Sequence, residues 1–479
     1  MISDLFSAIL YLYLHKNMRK RKIDVAEKIK QYINNNSAYI KTAANMAWPA
    51  VLESFFVAFA GLVDSLMVSS IGAYAVAAVG LTTQPKFIGL AIFIANNVAV
   101  SAIVARRKGQ QDRKSANQTL MIALMFVVIM GTLVSAACVY FADPIIRLCG
   151  SGEDTHESSV LYFRIIMGGM MFNIISLAIN AAQRGSGKTK IAMKTNVTAN
   201  VVNMIGNYLL IGGNFGFPAL GIMGAAIATV FGTFVACCMS IASVLSKDSF
   251  VSIPYIIKEK IKPTIAPLRS MIRIGSNIFI EQILMRIGFM SVAVMAAKLG
   301  TDAFAAHQVG MNVMSLSFSF GDGMQVAAVA LIGQSLGEQN PEMAKLYGNI
   351  CQRMGNVISI ILAAFYLLFG HLLFGLFFQE EHIIAMGVMI MKVIVVIVLL
   401  QIAQVIYMGC LRGAGDVFFT TVASTISVTL VRPLFSYFFC YAMGLGLIGI
   451  WFGIVSDQFC RFVLTTWRFK TGVWTKVKI

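Results

Sequence analysis

Asp64 lies inside an apolar run, FAGLVDSLMV, where water is not available to stabilise an ionised carboxylate. A carboxylate in such surroundings costs several kcal/mol unless it is paired or lines a wet cavity. Asp64 therefore needs a cation or a proton as its partner. We interpret it as a residue that binds and releases a positive charge, and we weigh this role against a purely structural one.

The segment KTNVTANVVNMIGNYLLIGG carries a stripe of four amides, Asn196, Asn200, Asn203 and Asn207. Steps of four, seven and eleven residues bring these amides to one face of a helix. Amide carbonyls are ligands for a hard cation, which prefers oxygen. The same amides can hold membrane helices together through hydrogen bonds, and the pattern does not separate the two roles.

Three further polar side chains extend this predicted site. Asn173 and Asn180 are seven residues apart and share one face of another apolar segment. Thr229 adds a hydroxyl group from a third segment. Together with the amide stripe, these side chains predict a polar pocket around Asp64 in the first half of the chain.

Glu281 stands in a second apolar run that carries a carboxylate, NIFIEQILMR. We predict a second protonation site or a substrate-cation site there. The structural alternative is a carboxylate that is paired with Arg286 or with a group on another helix.

Four other polar residues inside apolar runs are assigned to substrate or proton binding, and they are Asn180, Gln308, Gln401 and Arg432. Gln308 lies near the start of its segment, where it can line a central cleft. Arg432 precedes Pro433, so it can instead serve a kink in its helix.

The chain as a whole is apolar enough to need lipid as its solvent. Of its 479 residues, 58% are hydrophobic and 12% are charged, whereas about a quarter of the residues are charged in soluble domains. The mean hydropathy is +0.78. We therefore expect a multi-pass membrane protein.

Apolar runs of roughly 20 residues are long enough to cross a bilayer, and the sequence contains twelve of them. Their approximate spans are 43–71, 77–104, 117–142, 159–182, 191–212, 219–245, 270–298, 303–333, 345–376, 384–411, 418–443 and 446–467. They predict an all-α polytopic membrane protein with twelve transmembrane helices in two six-helix lobes.

A basic linker that contains three prolines separates the two sets of six helices. The predicted domains are an N-terminal extension at 1–42, an N-lobe at 43–245, the linker at 246–269, a C-lobe at 270–467 and a tail at 468–479.

Basic residues collect in alternate loops, such as RRKGQQDRK at 106–114, whereas intervening loops, such as GGNFGFP at 212–218, hold few. Because Lys and Arg mark cytoplasmic loops, we place the extension, the linker and both termini in the cytoplasm, and the protein in the cell membrane. The net charge of +17 follows from this topology and argues against a nucleic-acid partner.

The two halves repeat each other at an offset of 228 residues. Glu53, for example, falls on Glu281. Because each half has an even number of helices, the repeat is parallel, with its axis along the membrane normal. Asp64 falls on Val292, so the two halves do not carry equivalent sites.

The loop RGSGKT at 184–189 ends like a phosphate-binding loop, which makes a nucleotide-driven enzyme an alternative. Its repeat equivalent, RGAGDV at 412–417, lacks the Lys and the Thr. Ala182 stands where a phosphate-binding loop needs a glycine. We therefore interpret this loop as a helix end and a turn, held by basic residues at the membrane surface.

Four segments in this order resemble the multidrug and toxic compound extrusion (MATE) family: PAVLESFFVAFAGLVDSLMVSSIGAYAVAAVG, NAAQRGSGKT, GNFGFPALGIMGAAIAT and GCLRGAGD. The resemblance covers roughly residues 40–470. It implies a cation-coupled antiporter in which entry of sodium ions or protons drives the export of mostly cationic, aromatic drugs.

The resemblance also implies which residues bind the coupling ion. The first-lobe cation site of the family corresponds to Asp64, Asn173, Asn203, Asn207 and Thr229. The second-lobe acid of the family corresponds to Glu281, but Gln401 stands where members with a second-lobe cation site have an aspartate. This departure favours the first-lobe site.

We therefore expect an antiporter that exports cationic or amphipathic drugs by alternating access. We expect it to act as a monomer in the bilayer, with no cofactor and no metal other than sodium as a coupling ion. One alternative is a lipid-precursor flippase of the same fold superfamily, which would need a strongly basic cleft. Another is a membrane receptor that transports nothing.

Overall fold

The structure is a computed structural model that describes residues 36–149, 151–246, 249–375, 377–378 and 380–477. The predicted N-terminal extension lies almost entirely outside these residues. All regular secondary structure within the described ranges is helical, with no β-strand. The prediction of an all-α protein is therefore confirmed.

Twelve long helices, labelled α1 to α12 in chain order, run through the described residues. They are Ser37–Ser69, Ala73–Gly109, Arg113–Tyr140, Glu153–Gly168 continued by Met170–Gly185, Thr189–Gly212, Gly221–Leu245, Ile265–Lys298, Thr301–Gly337, Pro341–Gly375, Glu381–Gly413, Val417–Ala442 and Gly446–Thr471. We call α1 to α6 the first lobe and α7 to α12 the second lobe. Short helices at Ala142–Leu148 and Ile253–Lys258 lie in the connections.

Most of these helices are suited to lipid. Of the described helices, ten are long and apolar enough to cross a membrane, and the two segments of α4 form an eleventh span that is bent by 43°. Helix α5 is 24 residues long, but Lys190, Lys194 and the asparagine stripe make it more polar than the others. The chain is a multi-pass membrane protein.

Two helix ends differ from the sequence prediction for local reasons. Helix α7 begins at Ile265, before the predicted position 270, because Pro267 lies in its first turn, where a proline costs no hydrogen bond. Helix α12 continues past position 467 to Thr471. It ends there because Gly472 takes the left-handed conformation, with φ of 68°, that commonly terminates helices.

The repeat is visible in the backbone as well as in the sequence. The loop after α4 turns at Gly187 with φ of 89°, and the loop after α10 turns at Gly415 with φ of 88°. Positive φ values of this size favour glycine because a Cβ atom would clash with the backbone. Two matching turns, 228 residues apart in sequence, support the internal duplication.

The two lobes meet where α2 and α8 cross near their last residues. Gly109 of α2 lies against the backbone of Gln334, and Gly337 of α8 lies against the carbonyl of Arg106. Gly109 and Gly337 are repeat equivalents, so the crossing has an approximate two-fold symmetry. Loops rich in Lys and Arg follow α2, α4 and α12 at this end of the bundle, which we call the basic end.

A second close contact between the lobes joins α1 to α8. The Gly323 backbone on α8 lies so near the Val51 backbone on α1 that a Cβ atom at position 323 would overlap it. Two residues earlier on the same helix, Gly321 faces α10, and a Cβ atom there would be 3.5 Å from its nearest neighbours. Glycine is therefore required by packing at 323 and not at 321.

We expect Gly323→Ala to lower the melting temperature of the purified protein, because α1 and α8 must move apart to accommodate the methyl group. Overpacking of this kind costs about 1–3 kcal/mol. Gly321→Ala is the matched control and should leave the melting temperature unchanged or raise it, because alanine is the better helix former. Equal melting temperatures for the two variants would contradict the close contact.

Candidate functional site: a carboxylate and two amides between α1 and α5

Asp64 on α1 accepts hydrogen bonds from two amides of α5. The Nδ2 atom of Asn203 donates to Oδ2 of Asp64 at 2.8 Å, and the Nδ2 atom of Asn207 donates to Oδ1 at 2.8 Å. Both asparagines are buried, and the aspartate is partly buried. The structure thus brings together three of the five residues that the sequence assigned to a cation site.

The same two helices make a second contact of this kind nearer the basic end. The Nδ2 atom of Asn196 donates to Glu53 at 2.6 Å. Glu53 precedes Asp64 by eleven residues, and Asn196 precedes Asn207 by eleven, so α1 and α5 run parallel in a matched register. Eleven residues correspond to three helical turns, or about 16 Å.

The two amides keep their acceptor atoms free. Within the described residues, the Oδ1 atoms of Asn203 and Asn207 are buried without a hydrogen-bond partner. A buried amide oxygen without a donor is unfavourable, so both atoms favour an incoming cation or a donor group. Together with the Asp64 carboxylate they form a set of oxygen atoms of the type that hard cations prefer.

Thr229 lies on a helix that packs against α5 at the level of the amides, and Asn173 lies on α4. On α6, Ala228 contacts Gly206 of α5, which places Thr229 beside the segment from Asn203 to Asn207. The Thr229 hydroxyl donates to Ala225 in its own helix at 2.9 Å. The Asn173 amide is partly buried and makes no hydrogen bond to any described residue.

Two residues near Asp64 were missed by the sequence reasoning. Lys86 on α2 and Tyr162 on α4 are both close enough to interact with the Asp64 carboxylate electrostatically. Lys86 is partly buried inside the second apolar run, where a charged residue is a functional candidate by default. That signal was present in the segment TTQPKFIG.

Asn180 lies in a different polar cluster. Its Nδ2 atom donates to Ser176 at 3.3 Å, and its Oδ1 atom accepts from Ser240 at 3.3 Å. The two serines are themselves 2.8 Å apart. All three residues are buried, and none of them makes a hydrogen bond to Asp64, so Asn180 joins α4 to α6.

Glu281 is held by an arginine from the end of α10. The Nη2 atom of Arg412 donates to both carboxylate oxygens of Glu281, at 2.7 and 2.9 Å. Glu281 is 1% exposed, so this is a buried ion pair. The partner differs from Arg286, the alternative considered from the sequence, which stacks on the ring of Phe87 at 4.7 Å.

The first lobe contains the same ion pair at the repeat-equivalent positions. Arg184 donates to the buried carboxylate of Glu53, 131 residues earlier in the chain, as Arg412 does to Glu281. The arginines of RGSGKT and RGAGDV therefore have a structural partner. Thr189, the last residue of RGSGKT, also has a structural partner, because its hydroxyl donates a hydrogen bond to the carbonyl of Met46 at 3.0 Å.

The other second-lobe residues assigned from the sequence lie on three different helices. Arg432 is fully buried and pairs with Asp457 at 2.5 and 3.0 Å. Arg432 and Pro433 begin a short α-helical segment of α11, Arg432–Tyr437, which lies between π-helical segments at Ile426–Val431 and Phe438–Ala442. Gln401 is buried, and its Oε1 atom has no partner among the described residues. Gln308 lies on an exposed face of α8. No hydrogen bond or ion pair within the described residues joins these three residues to one another.

A chain of two six-helix halves that are related by a parallel repeat, with buried ionisable residues in each half, defines a polytopic membrane transporter. The sequence profile of the MatE family matches residues 49–209 and 278–438, once in each lobe. The chain belongs to the MatE family. The starts of the two matches agree with the offset of 228 to within one residue.

Relatives and solved structures agree with this assignment over nearly the whole chain. A probable multidrug resistance protein NorM of Thermotoga maritima is 26% identical over 441 residues, which cover 91% of this chain and 93% of that protein. An outward-facing multidrug resistance MATE family transporter has a TM-score of 0.84 at 22% identity, over 90% of this chain and 96% of that chain.

A third comparison shows that the fold accommodates different pockets. A MOP superfamily transporter from Pyrococcus furiosus has a TM-score of 0.84 at 22% identity, over 92% of this chain and 97% of that chain. It is described as having a binding pocket of reverse polarity that suggests a different function. These structures confirm the two-lobe helical fold, and the charges of the pocket must be read from each chain.

We expect Arg412→Gln to destabilise the protein by about 3–5 kcal/mol, because it leaves the buried Glu281 charge without its partner. The double variant Glu281→Gln, Arg412→Gln should recover part of this loss. Chemical unfolding in detergent micelles measures the difference.

The control for this prediction is Lys345→Gln, which breaks an exposed pair with Glu342 and should cost less than about 1 kcal/mol. If Arg412→Gln costs no more than Lys345→Gln, the buried pair does not contribute to stability as we expect.

Proposed function

We propose that this protein is a cation-coupled antiporter that exports cationic or amphipathic drugs by alternating access. The observation that carries the proposal is the arrangement at Asp64, where one carboxylate and two unpartnered amide oxygens lie between α1 and α5. This set of atoms suits a monovalent cation or a proton, which would enter as the drug leaves.

The buried charges favour a cationic drug over a pyrophosphate-linked lipid as the transported substrate. Within the described residues, four largely buried arginines pair with three carboxylates: Arg184 with Glu53, Arg412 with Glu281, and both Arg432 and Arg461 with Asp457. A flippase for a pyrophosphate-linked lipid would need free basic groups in its cleft. Paired arginines and an accessible Asp64 instead favour a cation as cargo, in line with the names of the multidrug resistance relatives.

In the proposed mechanism, the drug and the coupling cation compete for the negative charge of Asp64. When the coupling cation binds, the Asp64 carboxylate is neutralised and its hydrogen bonds to α5 weaken. A ligand shifts a conformational equilibrium only by its different affinities for the two states. Drug and coupling ion must therefore favour opposite states, and each crosses the membrane in only one direction per cycle.

The proposed orientation in the membrane rests on the distribution of basic residues among the loops. The basic end of the bundle carries the Lys-rich and Arg-rich connections, which favours a cytoplasmic location for this end and for both termini in the cell membrane. We propose that the monomer is the working unit, because both halves of the repeat are present in one chain.

We expect Asp64→Asn to abolish coupled drug export while the protein still folds, because the amide cannot carry the charge that the cation neutralises. Dye efflux from everted vesicles, driven in turn by a sodium gradient and by a proton gradient, identifies the coupling ion. Asp302→Asn, at the exposed start of α8, is the control and should transport normally. Full efflux by Asp64→Asn would exclude Asp64 as the coupling residue.

We expect Lys86→Gln to lower the half-saturating concentration of the coupling cation, because a neighbouring positive charge no longer opposes its binding at Asp64. A neighbouring unit charge changes the binding free energy by on the order of 1 kcal/mol, which corresponds to about a fivefold change in the half-saturating concentration. If sodium is the coupling ion, Asn207→Ala should raise its half-saturating concentration, because the substitution removes an unpartnered oxygen ligand. An unchanged value for Lys86→Gln would show that Lys86 plays no part in coupling.

A further inference from the structure

Asp322 is a carboxylate of the second lobe that contacts the first lobe. It lies on α8 beside Gly323, whose backbone packs against Val51 of α1. Its Oδ2 atom accepts a hydrogen bond from the Ser54 hydroxyl of α1 at 3.4 Å. The repeat-equivalent position in the first lobe is Ile94, so this carboxylate has no counterpart.

The charges around Asp322 come from both lobes. Arg184 and Glu53 of the first lobe and Arg412 of the second all interact electrostatically with its carboxylate. Within the described residues, no basic group lies within ion-pair distance of Asp322, because both arginines are engaged by glutamates. The attraction to two guanidinium groups is thus opposed by repulsion from Glu53.

The cluster as a whole has one negative charge in excess. Two guanidinium groups face three carboxylates, namely Glu53, Glu281 and Asp322. The two glutamates are each paired inside one lobe, so the charge of Asp322 is the one that acts across the interface. An ionised Asp322 attracts Arg184 and accepts a charge-assisted hydrogen bond from Ser54, both in the first lobe, and these interactions act against the repulsion from Glu53. A neutral Asp322 loses the attraction to Arg184 and keeps only an ordinary hydrogen bond.

The position of the cluster gives this attraction a mechanical consequence. Asp322 lies fifteen residues before the end of α8, or about 22 Å along the helix, on the path between the Asp64 level and the crossing of α2 and α8. Opening the basic end must separate α1 from α8, which removes Asp322 from Ser54 and from Arg184.

We propose that Asp322 is a second proton-accepting carboxylate of the transport cycle. When ionised, it holds the two lobes together at the basic end. When it takes one proton from solvent, it becomes a neutral carboxylic acid, and the lobes part more readily. The inference rests on the proposed function because alternating access requires the two lobes to separate at the basic end.

Distances between spin labels at Gln110→Cys and Glu338→Cys test the proposal in an otherwise cysteine-free protein in lipid nanodiscs. These positions are repeat equivalents, and both are exposed helix caps that follow α2 and α8. The fraction of the longer distance should rise as the pH falls. In Asp322→Asn it should be at least about threefold higher at high pH and should no longer respond to pH.

Two control variants distinguish the effect of the Asp322 charge from a general effect of substitution on the fold. Asp302→Asn changes the other end of the same helix and should behave as the parent does, whereas Asp322→Glu keeps the charge and should keep the pH response. If Asp322→Asn does not fold, Ser54→Ala replaces it. Loss of the Ser54 donor destabilises the ionised carboxylate, so the pH midpoint of opening should move upward.

Two results would overturn the proposal. If Asp322→Asn shows the same distances and the same pH response as the parent, Asp322 does not control the interface, and the antiport proposal is unaffected. If the parent shows one short distance at every pH, with and without sodium, both Asp322 control and alternating access are contradicted.

Discussion

The organisation of this protein depends on the cost of placing a carboxylate in an apolar environment. Each buried acid must find a donor, an opposite charge or a proton. Glu53 and Glu281 find arginines from the ends of α4 and α10, and these pairs join distant parts of each lobe. Asp64 finds two amide donors and interacts with the charge of Lys86, but it forms no ion pair with any described residue. The glutamate–arginine pairs therefore stabilise the fold, whereas Asp64 can bind and release a cation or a proton.

The internal duplication separates these two kinds of solution. Where the halves agree, as in the two glutamate–arginine pairs and the turns at Gly187 and Gly415, the shared feature maintains the fold of each lobe. Where they differ, as at Asp64 and Asp322, the residue is free of that structural duty.

The sequence predicted features that depend on spacing along one helix, and it failed where partners come from distant segments. The stripe that contains Asn203 and Asn207 was found because its period is that of a helix, and the apolar run around Asp64 showed that this residue was unusual. The partner of Glu281 was not found, since Arg412 lies 131 residues away in sequence. The repeat contained that information, because each glutamate has an arginine at the same separation. Asn180 was assigned to the wrong neighbours, since a seven-residue step gives the face of a helix and not the helix that it meets.

At the crossing of α2 and α8, Gly109 and Gly337 each lie against the backbone of the other helix. A contact of this kind has few rotamers to reorder when it forms, so its entropy cost is low and it can part and reseal many times without repacking. Under the proposed cycle, the barrier to leakage at the basic end therefore depends on close backbone contact at two glycines as much as on any residue that binds an ion.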